Sequence, residues 1–71
     1  MRKNIRIYAD QKIEEGILLL NKKTSHYLKN VMRLSERDNF NIFNEIDGEW
    51  LVEIKSIKKS ETEVLIKKFI K

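Results

Sequence analysis

Apolar residues alternate with polar ones through most of the second half of the chain, and this pattern constrains the fold more than any other. The alternation covers residues 39–42, 50–55 and 62–70. A period of two residues is typical of strands that bury one face. Asp47-Gly48 lies between the first two runs and favours a tight hairpin, because both residues tolerate positive φ. With a second hairpin through residues 58–61, the pattern predicts an antiparallel three-stranded meander.

Two shorter runs in the first half also predict strands. Residues 4–8 place Ile5 and Ile7 on one face and Arg6 and Tyr8 on the other. Residues 10–16 are polar, which predicts a loop, and the apolar run 17–20 follows between Gly16 and Asn21. This run is too short for a helix and is predicted to be a strand.

One segment has helical spacing instead. Leu28, Val31 and Met32 fall at positions i, i+3 and i+4, which predicts one apolar helical stripe. We predict a helix over residues 24–33, with Thr24 or Ser25 as the N-cap.

The resulting order is strand, strand, helix and meander, in one domain that spans residues 1–71. Short strands linked by hairpins favour a small closed or half-closed antiparallel barrel, because closure limits exposed sheet edges. The predicted class is therefore mostly β with one helix that plugs or flanks one end of the barrel. An open α+β sheet is the alternative.

Composition excludes several classes of site. The chain has no Cys and one His, which excludes disulfides, Cys nucleophiles and thiolate zinc sites. Its longest apolar run, residues 17–20, is far shorter than the ~20 residues that a membrane span needs. The N-terminus lacks the apolar stretch of a signal peptide, so we expect a cytoplasmic protein without a membrane partner.

A chain of 71 residues rarely holds both a core and a catalytic pocket, which favours a binding module or a piece of something larger.

No catalytic or metal-binding constellation is visible in the sequence. His26 has no Cys partner, and Ser25 beside it cannot form a triad through adjacency alone. Glu45, Asp47 and Glu49 cluster around the predicted turn, and we interpret them as solvated turn residues.

Positive charge is concentrated in the first half of the chain. Residues 1–37 hold nine basic and four acidic side chains, a balance of +5, whereas residues 38–71 hold six and seven, a balance of −1. His26, Asn30 and Arg33 fall at i, i+4 and i+7 on the predicted helix. On the predicted first strand, Arg6 shares a face with Tyr8, which is a candidate stacking platform for an unpaired base. This basic surface either binds nucleic acid or is only solvated. The predicted RNA-binding residues are Arg6, Lys22, Lys23, His26, Lys29, Asn30 and Arg33.

Three apolar residues do not fit a self-contained barrel. Leu65 and Phe69 alternate onto the face opposite Val64, and Leu51 onto the face opposite Val52. Outward apolar side chains can mark an interface, so Leu51, Leu65 and Phe69 are the predicted interface residues.

The segment His26-Tyr27-Leu28-Lys29-Asn30-Val31-Met32-Arg33-Leu34 resembles the H-x-L-x-x-V-L-R-L signature of the bacterial small-subunit ribosomal RNA methyltransferase E family. Members of this family methylate a 16S rRNA uridine at its third ring nitrogen. Met32 stands where Leu is usual, a change that conserves volume. The strand Arg6-Ile7-Tyr8 and the strands near residues 38–44 and 49–54 are in register with the family, although residues 44–48 depart from its usual Phe-Asp-Gly-like turn.

The resemblance implies a PUA-like barrel, the N-terminal RNA-recognition domain of that family. By matching position, His26 and Arg33 carry over as motif residues and Arg6 as the N-terminal arginine. In the family a C-terminal knotted methyltransferase domain follows, binds S-adenosylmethionine and forms a homodimer. This chain stops where that domain would begin, so the resemblance implies no cofactor in the chain and no activity of its own. The implied partners are 16S rRNA or the small ribosomal subunit, together with the catalytic domain.

Two functions from different classes remain open at this stage. In the first, the chain docks rRNA and positions the target uridine. In the second, it is a protein-interaction or dimer-packing module without RNA affinity of its own, and Arg33 pairs with Glu36 at i, i+3.

Overall fold

The structure, a computed structural model, describes residues 5–58 and 60–71. Asn4, the predicted start of the first strand, and Lys59, in the predicted second hairpin, lie outside the described residues. The strands are β1 (Arg6–Tyr8), β2 (Ile17–Leu20), β3 (Asn39–Asn44), β4 (Gly48–Ile57) and β5 (Thr62–Phe69). Between β2 and β3, an α-helical turn α1 (Lys22–His26) continues as a π-helical segment (Tyr27–Val31). We refer to residues 22–31 together as the helix.

All five strands form one sheet in the order β1-β3-β4-β5-β2. The predicted meander is confirmed, since β3 and β5 both pair antiparallel with β4. At the other side of β5, β2 is antiparallel to it, with Ile17 opposite Leu65. By contrast, β1 runs parallel to β3, with Ile7 opposite Ile42.

The class, mostly β with one helix, is confirmed, and the open sheet agrees with the alternative to the barrel, whereas closure and a purely antiparallel sheet are wrong. The β1–β3 pair is parallel, which the long connection through β2 and the helix permits. Among the described strands, β1 and β2 are the two sheet edges and do not pair with each other, so the sheet is open. Alternation identifies which residues are in strands, but it carries no information on strand direction or closure.

The core lies between the helix and one face of the sheet. Leu28 of the helix is fully buried together with Ile42, Val52, Ile54 and Val64 of the central strands. Ile5 and Ile7 pack against this cluster from the β1 side, as their alternation predicted. Burying the alternating residues of three adjacent strands supplies the main stabilising free energy of a domain this small.

The helix begins two residues earlier and ends two residues earlier than predicted. Asn21 is the N-cap, because its Oδ1 accepts a hydrogen bond of 2.9 Å from the Thr24 backbone N–H. Ser25 is fully buried rather than a cap. Its hydroxyl donates to the Lys58 carbonyl and lies 2.6 Å from Thr62 Oγ1, which ties the helix to the β4–β5 connection.

An extra residue in β5 changes which residues share a face. Leu51 lies opposite Lys68 and Val52 opposite Ile66, so Lys67 has no partner of its own. Beyond this irregularity Phe69 lies opposite Trp50, and the two rings meet edge to face with centroids 5.0 Å apart. The prediction that Phe69 shares the outward face of Leu65 is therefore wrong, because strict alternation does not survive a bulge.

Candidate nucleic-acid interface

Five of the predicted RNA-binding residues surround one groove on the helix surface. We call it the lysine groove; it is lined by Lys22, Lys23, His26, Lys29 and Asn30. All five residues are exposed. In the part of the chain that the structure describes, no carboxylate lies within ion-pair distance of the three lysines. Their charges are therefore available to an anionic partner.

A hydrogen bond between two of these residues sets the donors that the groove presents. Asn30 Nδ2 donates to His26 Nδ1 over 3.0 Å, one helical turn apart. When the neutral His26 ring accepts at Nδ1, its proton is on Nε2, and that N–H can donate outward. The pair thus adds a neutral donor to a groove otherwise dominated by ammonium groups.

Arg33 does not lie on the helix stripe that its spacing predicted. The helix ends at Val31, and Arg33 adopts the left-handed conformation with φ 57°. The Leu34 backbone N–H then donates back to the Leu28 carbonyl over 2.9 Å, which closes the helix end. The predicted alignment of Arg33 with His26 and Asn30 is therefore wrong, while its contact with RNA stays a prediction.

Arg6 is held by an acidic partner. Its Nη2 lies 2.9 Å from Glu49 Oε1 and its Nε 3.2 Å from Oε2, a bidentate pair, while its guanidinium stacks 4.6 Å over the Phe43 ring. Asn41 Nδ2 donates to the same Oε2 over 2.7 Å. Hydrogen bonds from Arg6 and Asn41 hold the pKa of Glu49 below its ordinary value of 4.5. The charge of Arg6 is thus compensated within the fold.

The interpretation of the turn carboxylates as solvated holds for the exposed Glu45, but it is wrong for the buried Glu49 and incomplete for the half-buried Asp47. Glu49 is only 5% exposed. Asp47 Oδ2 accepts 2.9 Å from the Ile13 backbone N–H and 3.2 Å from Asn44 Nδ2, and these bonds lower the pKa of Asp47. Glu45 accepts from the Tyr8 hydroxyl over 3.0 Å, which raises the pKa of Tyr8. Each carboxylate joins the β3–β4 hairpin to the first 13 residues, a long-range role that local sequence cannot reveal.

A second groove separates β1 from the helix. We call it the tyrosine groove; its volume is about 550 Å³, and its lining includes Arg6, Tyr8, Lys23, His26, Tyr27 and Val31. Lys23 and His26 also line the lysine groove, so the two grooves are continuous. Arg6 and Tyr8 therefore lie on the same groove as two of the predicted helix residues, Lys23 and His26.

Tyr27 and Val31 are among the residues of the tyrosine groove that sequence reasoning missed. Tyr27 is 41% exposed and Val31 59% exposed, although Val31 was predicted to lie on the buried stripe. Of that stripe only Leu28 is fully buried, because the π-helical segment spreads more residues over each turn and turns Val31 outward. The helix motif offered no local signal of this widening.

The predicted interface residues separate into two places. Leu51 and Leu65 are half-buried on the outer sheet face, and Ile17, 53% exposed, lies beside Leu65 in the neighbouring strand. Leu19 follows Ile17 on the same face and is also exposed. We call Ile17, Leu19, Leu51 and Leu65 the outer apolar patch. Phe69 lies apart from it, against Trp50.

The described part of the chain lacks two other kinds of feature. Residues 5–58 and 60–71 contain no group of three or more His, Cys, Asp or Glu side chains placed to hold a metal ion. No helix among them is long and apolar enough to cross a membrane.

The fold resembles that of several solved methyltransferases. A putative methyltransferase from Legionella pneumophila, solved with bound SAM, superposes with a TM-score of 0.82 at 25% identity, over 94% of this chain and 28% of that one. Ribosomal RNA small subunit methyltransferase E from Neisseria gonorrhoeae, bound to S-adenosyl methionine, gives 0.78 at 20% identity over 90% of this chain and 27% of its own. At that identity the second likeness shows the fold alone.

Sequence comparison agrees with the fold. The chain is 37% identical over 68 residues to Ribosomal RNA small subunit methyltransferase E of Rickettsia conorii, covering 93% of this chain and 28% of that protein. The chain therefore spans little more than a quarter of the relative's length. Residues 20–67 match the family described as the RNA methyltransferase PUA domain. The resemblance first suggested by the helix motif is confirmed: the chain belongs to the RNA methyltransferase PUA domain family.

Proposed function

We propose that this chain is the RNA-binding domain of a ribosomal RNA methyltransferase and that it docks 16S rRNA through the lysine groove. The single observation that carries the proposal is the set of three exposed lysines, Lys22, Lys23 and Lys29, on one groove without a described carboxylate partner. Ammonium groups in such a cluster neutralise phosphates and release counterions, which supplies most of the affinity for a nucleic acid.

In the proposed reaction the chain supplies affinity and orientation. Docked rRNA would place its target uridine in a knotted methyltransferase domain, where S-adenosylmethionine provides the methyl group. No residue of this chain is assigned to that cofactor. Methyl transfer is supported by the names of the relatives. The homodimer and the cytoplasmic location belong to the same proposal and rest on the family resemblance alone.

The test is a salt titration of binding to a labelled small-subunit rRNA fragment. The logarithm of the association constant should fall linearly with the logarithm of salt concentration. In the double variant Lys23→Gln/Lys29→Gln the slope should decrease in magnitude by roughly 1.4, since each phosphate contact on a single strand contributes about 0.7.

The matched control is Lys55→Gln/Lys68→Gln, which removes the same charge from two exposed lysines outside both grooves. Its slope should stay close to that of the unsubstituted chain. Binding that does not depend on salt, or an equal decrease in both double variants, would overturn the proposal.

The outer apolar patch favours a second candidate function, a protein-interaction surface for another copy of the chain. Ile17 and Leu65 lie side by side in register, and Ile17 and Leu19 are each at least half exposed. Sedimentation should then show a dimer that high salt does not dissociate and that Ile17→Ser/Leu65→Ser converts to a monomer. Ile46→Ser, at the 87% exposed hairpin tip, is the control and should leave the dimer intact.

A further inference from the structure

We infer that the tyrosine groove takes an unpaired nucleotide of the RNA and that the lysine groove holds the phosphates next to it. The inference rests on the proposed function and deepens it, because it names single-stranded rather than duplex RNA as the ligand.

The two walls of the tyrosine groove differ in charge. On the helix wall, Lys23 has no described carboxylate partner and continues into the lysine groove. On the β1 wall, Glu49 neutralises Arg6, and the carboxylates of Asp10 and Glu45 add negative charge near Tyr8. Phosphates are therefore attracted to the helix side and repelled from the β1 side, which leaves the β1 side to the base.

The β1 wall carries an aromatic ring held in place by two contacts. Tyr8 is 52% exposed, and its ring meets Phe43 edge to face with centroids 5.7 Å apart. Its hydroxyl donates to Glu45 over 3.0 Å. A ring that is fixed before binding loses little conformational entropy when a base stacks on it.

Exposed apolar surface continues onto the opposite wall. Tyr27 and Val31 project from the widened π-helical segment and line the same groove. Aromatic side chains beside basic groups bind unpaired bases of any sequence, because every base has a π-face. Bases inside a duplex are already stacked and do not present that face. The groove volume of about 550 Å³ is within the range of small-ligand sites.

His26 lies where the two grooves meet. Asn30 occupies its Nδ1, so the outward Nε2–H can donate to a ribose or a base edge. The arrangement thus presents a stacking surface, one neutral donor and a cationic groove in succession, which matches base, sugar and phosphate.

The experiment compares a short single-stranded RNA with the same strand annealed to its complement. The single strand should bind about tenfold more tightly. Tyr8→Leu/Tyr27→Leu should weaken single-strand binding about tenfold, consistent with the loss of base stacking, and leave duplex binding and the salt slope unchanged. 2-Aminopurine placed at successive positions should show quenched fluorescence at one position, and the double variant should abolish that quenching.

Two controls keep the result interpretable. Tyr8→Phe/Tyr27→Phe retains both rings and should retain single-strand affinity. Phe69→Leu removes an exposed ring outside the groove and should have no effect on binding. Should Tyr8→Leu impair folding, Tyr27→Leu alone carries the test, since Tyr27 is exposed on the helix.

The outcomes separate this inference from the proposed function. If neither RNA binds, the proposed function fails and the inference fails with it. If both RNAs bind equally, or if the tyrosine variants bind normally while Lys23→Gln/Lys29→Gln does not, the proposed function stands and the inference is overturned.

Discussion

Arg6 and Lys23 are both cations on the tyrosine groove, yet the fold uses them differently. The guanidinium of Arg6 is paired with Glu49 and stacked on Phe43, whereas Lys23 has no described acidic partner. Sequence charge alone assigned both to RNA binding. The comparison shows that a basic residue keeps its charge available to an anionic partner only where the fold provides no internal anion.

The difference between Arg6 and Lys23 requires that the helix packs against the sheet. Leu28 is the residue of the helix that is fully buried in this packing. Leu28→Ala should lower the free energy of unfolding by about 2–5 kcal/mol, since it leaves a cavity in the core. A domain of this length has a total stability of only about 4–10 kcal/mol, so both grooves would be lost in much of the population. Urea denaturation followed by Trp50 fluorescence measures the effect.

Val31→Ala is the matched control, because it truncates an apolar side chain of the same helix that is 59% exposed. It should change stability by no more than about 0.5 kcal/mol. Equal losses in the two variants would show that the helix is not anchored through Leu28.

Removing each of the compared cations should have opposite consequences. Lys23→Gln should weaken RNA binding roughly fivefold and decrease the salt slope by about 0.7, without a change in melting temperature. Arg6→Gln should lower the melting temperature, because Glu49 then lacks its main partner, and should change the salt slope less than Lys23→Gln does. Salt titrations of RNA binding and thermal melts of both variants measure these effects. If Arg6→Gln reduces the slope as much as Lys23→Gln, the ion pair does not withhold Arg6 from RNA.

Arg33 offers a variant in which stability and binding should move in opposite directions. Its φ of 57° is the left-handed region, where a side chain costs roughly 1 kcal/mol relative to glycine. Arg33→Gly should therefore raise the free energy of unfolding by up to about 1 kcal/mol. If Arg33 contacts RNA as predicted, the same variant should bind more weakly despite its higher stability. Arg33→Ala keeps the strain and separates the two effects.

The smallest effect concerns pH. The pKa of Glu49 is lowered in the folded protein, so folding favours its ionised form. Its contribution is complete above the ordinary carboxyl pKa of 4.5 and is lost as pH falls through the lowered value. In Glu49→Gln the free energy of unfolding should therefore fall with a smaller slope between about pH 5 and pH 3. The control Glu53→Gln disrupts a more exposed pair with Lys67 and should leave that slope nearly unchanged.

Much of the fold followed from local patterns in the sequence. The period-two alternation identified the strands, Asp47-Gly48 identified the hairpin, and the helix motif placed the chain in its family. These features depend on neighbours along the chain, so local propensity and spacing are sufficient to find them.

The remaining features were not visible in local patterns of the sequence. The partner of Glu49 is Arg6, and the parallel direction of β1 depends on its pairing with β3. The π-helical widening turned Val31 outward, and the bulge at Lys67 placed Phe69 beside Trp50. The first two features depend on pairing between distant residues, and the last two are departures from a regular period that no local signal announces. The lysine groove was predictable because it lies within a single helix.

The sheet order also dictates an order of folding. Hairpins join β3, β4 and β5, whereas β1 and β2 pair with strands far along the chain and occupy the two edges. Because closing long loops costs more entropy than closing short ones, the meander should form first and the edge strands should dock last. Tyr8 lies on β1, and the lysines lie on the helix between the late-docking β2 and the early meander. A chain caught midway through folding would thus expose its hydrophobic meander before Tyr8 is in place to complete the tyrosine groove.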